Sequence, residues 1–132
     1  MDLYKEVEDI RVFVACKIIS EANNRAHWTV KSKRKNVLWM HVLAALNGKD
    51  FPLPCTVTFE RKGPRTLDDD NLAYSFKGVR DMVSKLIIES HFKASTAIKR
   101  PTGYYDSDPR ITWAYTQSKG TPGFYIDIAK RI

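Results

Sequence analysis

Apolar and polar positions alternate from Asp9 to Ile19, with Val12, Val14, Cys16 and Ile18 on one side, which is the period of a half-buried strand. Ser20-Glu-Ala-Asn-Asn-Arg then reads as a loop, because short polar side chains of this kind hydrogen-bond their own backbone. From Trp28 to Leu46 the spacing is helical. Val37, Leu38, Val42 and Leu46, with Met40 and Leu43, make a broad apolar face, and Asn47-Gly48 supplies the stop. Pro52 and Pro54 mark a connector. Cys55 to Lys62 alternates again, with Val57 and Phe59 together, and Gly63-Pro64 ends this second strand. From Asp69 to about Ser90 the period lengthens, placing Leu72, Phe76, Val79, Val83, Leu86 and Ile87 on one helical stripe. Ser90 to Gly103 is polar and basic, a loop or a short extension of that helix. Ile111-Thr-Trp-Ala-Tyr and Phe124-Tyr-Ile-Asp-Ile both alternate, and Lys119-Gly-Thr-Pro-Gly between them supplies the turn of a terminal hairpin.

The order is strand, helix, strand, helix, strand, strand. It predicts an α/β (α+β) fold, with one small domain over residues 1–132 and a mixed sheet of about four strands carrying two helices. The length suffices for a modest core. No apolar run approaches the roughly 20 residues that span a bilayer. The charged start lacks the apolar stretch of a signal peptide, so a cytoplasmic setting is expected. Cys16 and Cys55 lie far apart, without zinc or disulfide-framework spacing, and read as reduced thiols. His27, His41 and His91 form no ligand pattern.

Charge alters the picture. The chain carries 22 Lys and Arg against 15 Asp and Glu, a formal net charge of +7, and such an excess suits a polyanionic partner. Lys31, Lys33, Arg34 and Lys35 crowd the first half of the first helix, with Arg25 in the loop before it. A run of this kind is either a solvated helix face or a set of phosphate contacts; the net charge favours the second. Trp28 beside it is a candidate for stacking on an unpaired base, although burial is the commoner fate of tryptophan.

Against this basic background, Asp68, Asp69 and Asp70 stand in a row where a strand gives way to a helix. One aspartate there is explained by capping, since its carboxylate accepts free backbone N–H groups at the positive end of the helix. Three exceed that need. Adjacent carboxylates repel, and a divalent cation relieves them; magnesium, which prefers oxygen ligands and keeps several waters, is the natural one. Capping and metal binding both remain open at this point. A second acidic pair, Asp106-Ser-Asp108, precedes the strand at Ile111 and reads either as an ordinary turn before proline or as a partner for the first cluster. The second reading requires that the strand at Ile111 lie beside the one ending near Lys62 so that Asp108 meets Asp68 and Asp70.

The run Leu67-Asp-Asp-Asp-Asn-Leu-Ala-Tyr-Ser-Phe-Lys-Gly-Val-Arg-Asp81 resembles the Asp-x-Asp-Asn-Leu helix start of the RusA family of Holliday-junction resolvases, in the form carried by phages and prophages. Asp108-Pro-Arg-Ile-Thr-Trp-Ala-Tyr-Thr-Gln-Ser-Lys-Gly120 is similar to the second family block, Pro122-Gly-Phe-Tyr-Ile-Asp-Ile to the closing strand, and Ser20-Glu-Ala-Asn-Asn-Arg-Ala-His-Trp to the loop before the basic helix. The resemblance implies a homodimeric, Mg²⁺-dependent (Mn²⁺ as an alternative) crossover junction endodeoxyribonuclease that nicks branched DNA in recombination and repair. It implies Asp68, Asp70 and Asp108 as metal ligands, Asp106 as an alternative or supporting ligand, and a helix lysine, here Lys77. Tyr74 occupies the place where some relatives carry that lysine. About residues 87–102 the chain is longer than relatives and reads as an inserted loop carrying His91, Lys93, Lys99 and Arg100. Three rivals stay open, the first two being a branched-DNA-binding protein without catalysis and a flap or fork nuclease of the same fold. A third is an interaction module whose acidic turn only caps a helix.

Overall fold

A computed structural model describes residues 7–18, 28–94 and 105–131. In chain order these form β1 (Ile10–Val14), α1 (Trp28–Leu46), β2 (Cys55–Gly63), α2 (Asp69–Ser75), α3 (Lys77–Ala94), a 3-10 turn at Tyr105–Ser107, β3 (Ile111–Lys119) and β4 (Gly123–Lys130). The four strands make one mixed sheet in the order β1-β4-β2-β3. Strict alternation of buried and half-buried residues along β2 puts Cys55, Val57, Phe59, Arg61 and Gly63 on the face that the helices cover. Thr56, Thr58, Glu60 and Lys62 take the other face, where Arg11 pairs with Asp127 and lies 4.0 Å over the Tyr125 ring. The α/β (α+β) single-domain architecture is as expected. Among the described residues, no helix is long and apolar enough to cross a membrane.

The helical stretch expected over 69–90 is two helices, not one, so the described residues hold three. It breaks at Phe76, whose backbone leaves helical geometry at φ −95°, ψ 4°. The Ser75 hydroxyl donates to the Leu72 carbonyl at 2.6 Å, drawing that carbonyl from the helical ladder. The break lets the Phe76 ring stack on Phe59 (centroids 4.8 Å apart, planes at 5°) and meet Phe124 edge-on at 5.5 Å. α3 then runs on to Ala94, and Ile87 and Ile88 are fully buried. The first part of the segment expected as an inserted loop is therefore core helix; residues 95–102 fall outside those described.

The terminal hairpin does not form. β3 pairs with β2 in parallel, and β4 pairs with the opposite edge of β2 and with β1, both antiparallel. Burial explains the choice. Phe124, Ile126 and Ile128 are fully enclosed, which requires neighbours on both edges of β4, whereas β3 with exposed Thr112 and Thr116 suits an edge. The chain crosses the end of β2 through residues 120–122, where the Gly120 amide donates to the Gly63 carbonyl. Gly123 then passes so close to Phe13 that a Cβ would lie 2.4 Å from the ring's Cζ, and only glycine fits.

Helix α1 has the expected bounds, and Gly48, at φ 73°, takes the left-handed conformation that ends it. Val42 and Leu46 reach the core, while Val37 and Met40, expected on the apolar face, are exposed. β1 is shorter than expected and stops at Val14, leaving Cys16 half-buried beyond it. Cys55 is buried, which pushes its thiol up to about 11, so it stays protonated.

Candidate nucleic-acid interface and acidic groups

Helix α1 contains no acidic residue. Lys33 and Lys35 are exposed and Lys31 and Arg34 half-buried, so a cationic surface runs along its first half. Trp28 at its start is 69% exposed rather than buried, and Val30 beside it is also exposed. Large exposed apolar groups flanked by lysines suit a partner that offers both stacking surface and negative charge. Arg25 lies outside the described residues.

At the acidic turn, the capping explanation holds for Asp68. Its Oδ1 accepts the Asn71 amide at 2.9 Å, and its Oδ2 accepts the Asn71 side-chain amide at 3.2 Å, making it the N-cap of α2. Asp69 and Asp70 are exposed on the first turn. The turn itself is locked to the sheet by Gln117, which accepts from the Leu67 amide at 2.8 Å and donates to the Leu67 carbonyl at 2.6 Å.

Asp108 is elsewhere. β3 does lie beside β2, as the convergence of the two acidic blocks required, but the pairing is parallel, so Ile111 stands opposite Cys55 and Gln117 opposite Arg61. Asp108 therefore sits at the start of the strand pair, where its carbonyl accepts the Ile111 amide, and the acidic turn sits at the other end. The strand between Ile111 and Gln117 spans roughly 20 Å at the usual rise per residue. The Asp108 side chain is 3% exposed and spends its oxygens on Arg110, at 2.9 Å to Nε and 2.6 Å to Nη2. Asp68, Asp70 and Asp108 thus do not fit a shared divalent ion, and among the described residues no three His, Cys, Asp or Glu side chains gather as metal ligands.

Those bonds from Arg110 hold the Asp108 carboxyl below the usual carboxylate range against the opposing effect of burial. A depressed native pKa means stability that is fully present above the unfolded value of about 3.9 and is lost as pH falls through the native one. Between pH 6 and pH 2.5 the melting temperature of the wild-type protein should fall further than that of Asp108→Asn; parallel curves would remove Asp108 from the acid sensitivity.

A different pair of acids lies where the 3-10 turn packs on α3. The 3-10 turn carries Asp106, whose carbonyl accepts the Trp113 indole N–H at 2.9 Å and whose carboxylate lies 3.3 Å from the Arg80 guanidinium. Arg80 also donates to the Tyr115 hydroxyl at 2.8 Å and rests 5.0 Å from the centre of the Trp113 ring, tying α3 to β3 and to the turn. Next to Arg80, burial and then the charge of Asp106 raise the Asp81 carboxyl, while Lys77, Lys35 and Arg80 pull it back. Lys77 of α3 and Lys35 of α1 are therefore within electrostatic reach of Asp81. Sequence reasoning names Lys77, Lys35 and Asp106 but assigns nothing to Asp81 or Arg80. A signal is present: Lys77 and Asp81 stand one helical turn apart.

No family model, no curated protein and no solved structure matched this chain.

Proposed function

We propose that this chain binds branched DNA and cuts it as a RusA-like, structure-selective endodeoxyribonuclease, acting as a homodimer in the cytoplasm. The observation that carries the reading is the packing of the basic helix α1 and of the 3-10 turn on α3, where Arg80 pairs with Asp106 at 3.3 Å and Asp81 follows Arg80 in the chain. Phosphate-binding cations beside paired carboxylates are what phosphodiester hydrolysis needs in one place. In this reading Lys31, Lys33, Arg34 and Lys35 hold backbone phosphates and set the register of the duplex. Lys77 offsets charge on the phosphate being attacked. Trp28 stacks on a base unpaired at the branch point.

Two carboxylates with water and a substrate phosphate are ordinary magnesium donors. Asp81 and Asp106, whose mutual repulsion a cation relieves, would hold Mg²⁺ or Mn²⁺ in place of Asp68, Asp70 and Asp108. When bound, such an ion supplies an activated water and neutralises charge on the phosphate. Arg80 is the positioning residue, since its guanidinium fixes Asp106 relative to α3.

Binding is tested through salt. For a labelled four-way junction, the Lys33→Ala/Arg34→Ala double variant should bind more weakly than wild type. Its plot of log affinity against log salt should be flatter by about 2, one unit for each phosphate that the variant no longer neutralises. An unchanged slope would take the basic helix out of the DNA footprint.

A further inference from the structure

We propose that Arg61 is a receptor for a phosphate group at the rim of the sheet beside the acidic turn. The inference rests on the DNA reading only for the identity of the molecule that carries the phosphate. On the covered face of β2, Arg61 follows Cys55, Val57 and Phe59, all fully buried apolar positions, and is itself only 7% exposed. A guanidinium cannot shed its charge at any working pH, so burial at this depth ordinarily brings a carboxylate with it. Among the described residues no carboxylate pairs with Arg61. Its one hydrogen bond runs from Nη1 to the Arg65 carbonyl at 2.7 Å, and its Nε is buried without any partner.

The unused donors are not scattered. Nε and Nη2 form one edge of the planar fork, the edge that receives two oxygens of a phosphate or carboxylate side by side. Nη1, on the other side, is spent on the turn. Gly63 makes the room: a Cβ there would stand 3.1 Å from Nη2 and 3.2 Å from Nη1, tighter than such contacts ordinarily allow. The charges around it are of both signs, since Asp68, Asp69 and Asp70 are exposed on the turn that follows. Arg65 is exposed on the turn, and Lys119, opposite Gly63 in register, is exposed at the same end of the sheet. Glu60 and Lys62 point to the other face, where they pair with each other at 3.6 Å. A tetrahedral oxyanion on the Nε–Nη2 edge would satisfy the orphaned donor and supply the missing counter-charge.

The test compares thermal unfolding in inorganic phosphate with unfolding in chloride at equal ionic strength and pH 7, for wild type, Arg61→Met and Arg61→Lys. Phosphate should raise the wild-type midpoint saturably, by about 3 °C or more. Arg61→Met, which removes an uncompensated buried charge and keeps the volume, should unfold in chloride no earlier than wild type and show no phosphate effect. Arg61→Lys keeps the charge without the fork, gives a second readout whatever the stability of the methionine variant, and should lose most of the shift. No phosphate-specific rise in wild type, or an equal rise in both variants, would overturn the proposal. A parallel measurement of four-way-junction affinity identifies the source. A loss of tenfold or more in Arg61→Met places a DNA phosphate there. An intact phosphate shift with unchanged junction affinity assigns the receptor to a free phosphate compound and leaves the DNA reading to the salt-slope test of the basic helix.

Discussion

Asp81→Asn and Asp106→Asn should each lower the rate of junction nicking by at least about 100-fold, the scale on which removing a charged group from a phosphoryl-transfer site is felt. Both variants should still bind the junction, at wild-type affinity or tighter, because a negative charge beside phosphate has gone. The informative contrast is Asp108→Asn. Its carboxylate is buried against Arg110 at the far end of the strand pair, so it should melt earlier yet nick at a near-normal rate per folded molecule. Asp68→Asn should be close to silent, since asparagine caps a helix as well as aspartate does. Abolition of nicking by Asp108→Asn with Asp81→Asn active would return the chemistry to the set that the family resemblance implied.

Phe76→Ala should be the most damaging single truncation in the core. The ring is fully buried, stacks on Phe59 and meets Phe124, and so connects two strands with the joint between α2 and α3. Loss of a buried phenylalanine costs about 3–5 kcal/mol, from lost transfer energy and from the cavity left behind. For a domain of this size that lowers the melting temperature by roughly 10–20 °C. Tyr74→Ala, two residues earlier and half-exposed at 49%, is the control and should cost less than about 1 kcal/mol. A drop below about 3 °C for Phe76→Ala would mean that the break in the helix is not held by the aromatic stack.

Periodicity locates the strands and α1 because each of those segments buries one face, and burial writes its period into the sequence. It does not find the break at Phe76, since a short kink leaves the apolar spacing nearly unchanged: Leu72, Phe76, Val79 and Val83 still read as one stripe. Nor does it find the strand order. Lys119-Gly-Thr-Pro-Gly has the composition of a hairpin turn, and only the full enclosure of Phe124, Ile126 and Ile128 shows that β4 belongs between β1 and β2. The error in the acidic set follows from the same blindness to direction. Adjacency of β2 and β3 is a condition of the metal reading that spacing and composition do not establish; the strands are adjacent but parallel, which puts Asp108 beside the start of β2 while Asp68 follows its end. Asp106, only two residues earlier, is carried back over α3 by the 3-10 turn and reaches Arg80. Arg61 is invisible for a simpler reason. Within an alternating strand an arginine reads as an outward polar residue, and only the register places it inside.

The most direct measurement is incubation of the wild-type protein with a labelled synthetic four-way junction, with Mg²⁺ and with chelator, read on a denaturing gel. Paired nicks at symmetric positions in two strands of like polarity, dependent on the ion, are the expected result. Junction DNA that is bound but remains uncut in Mg²⁺ and in Mn²⁺ would contradict a hydrolytic role for Lys77, Asp81 and Asp106 and leave a protein that only binds.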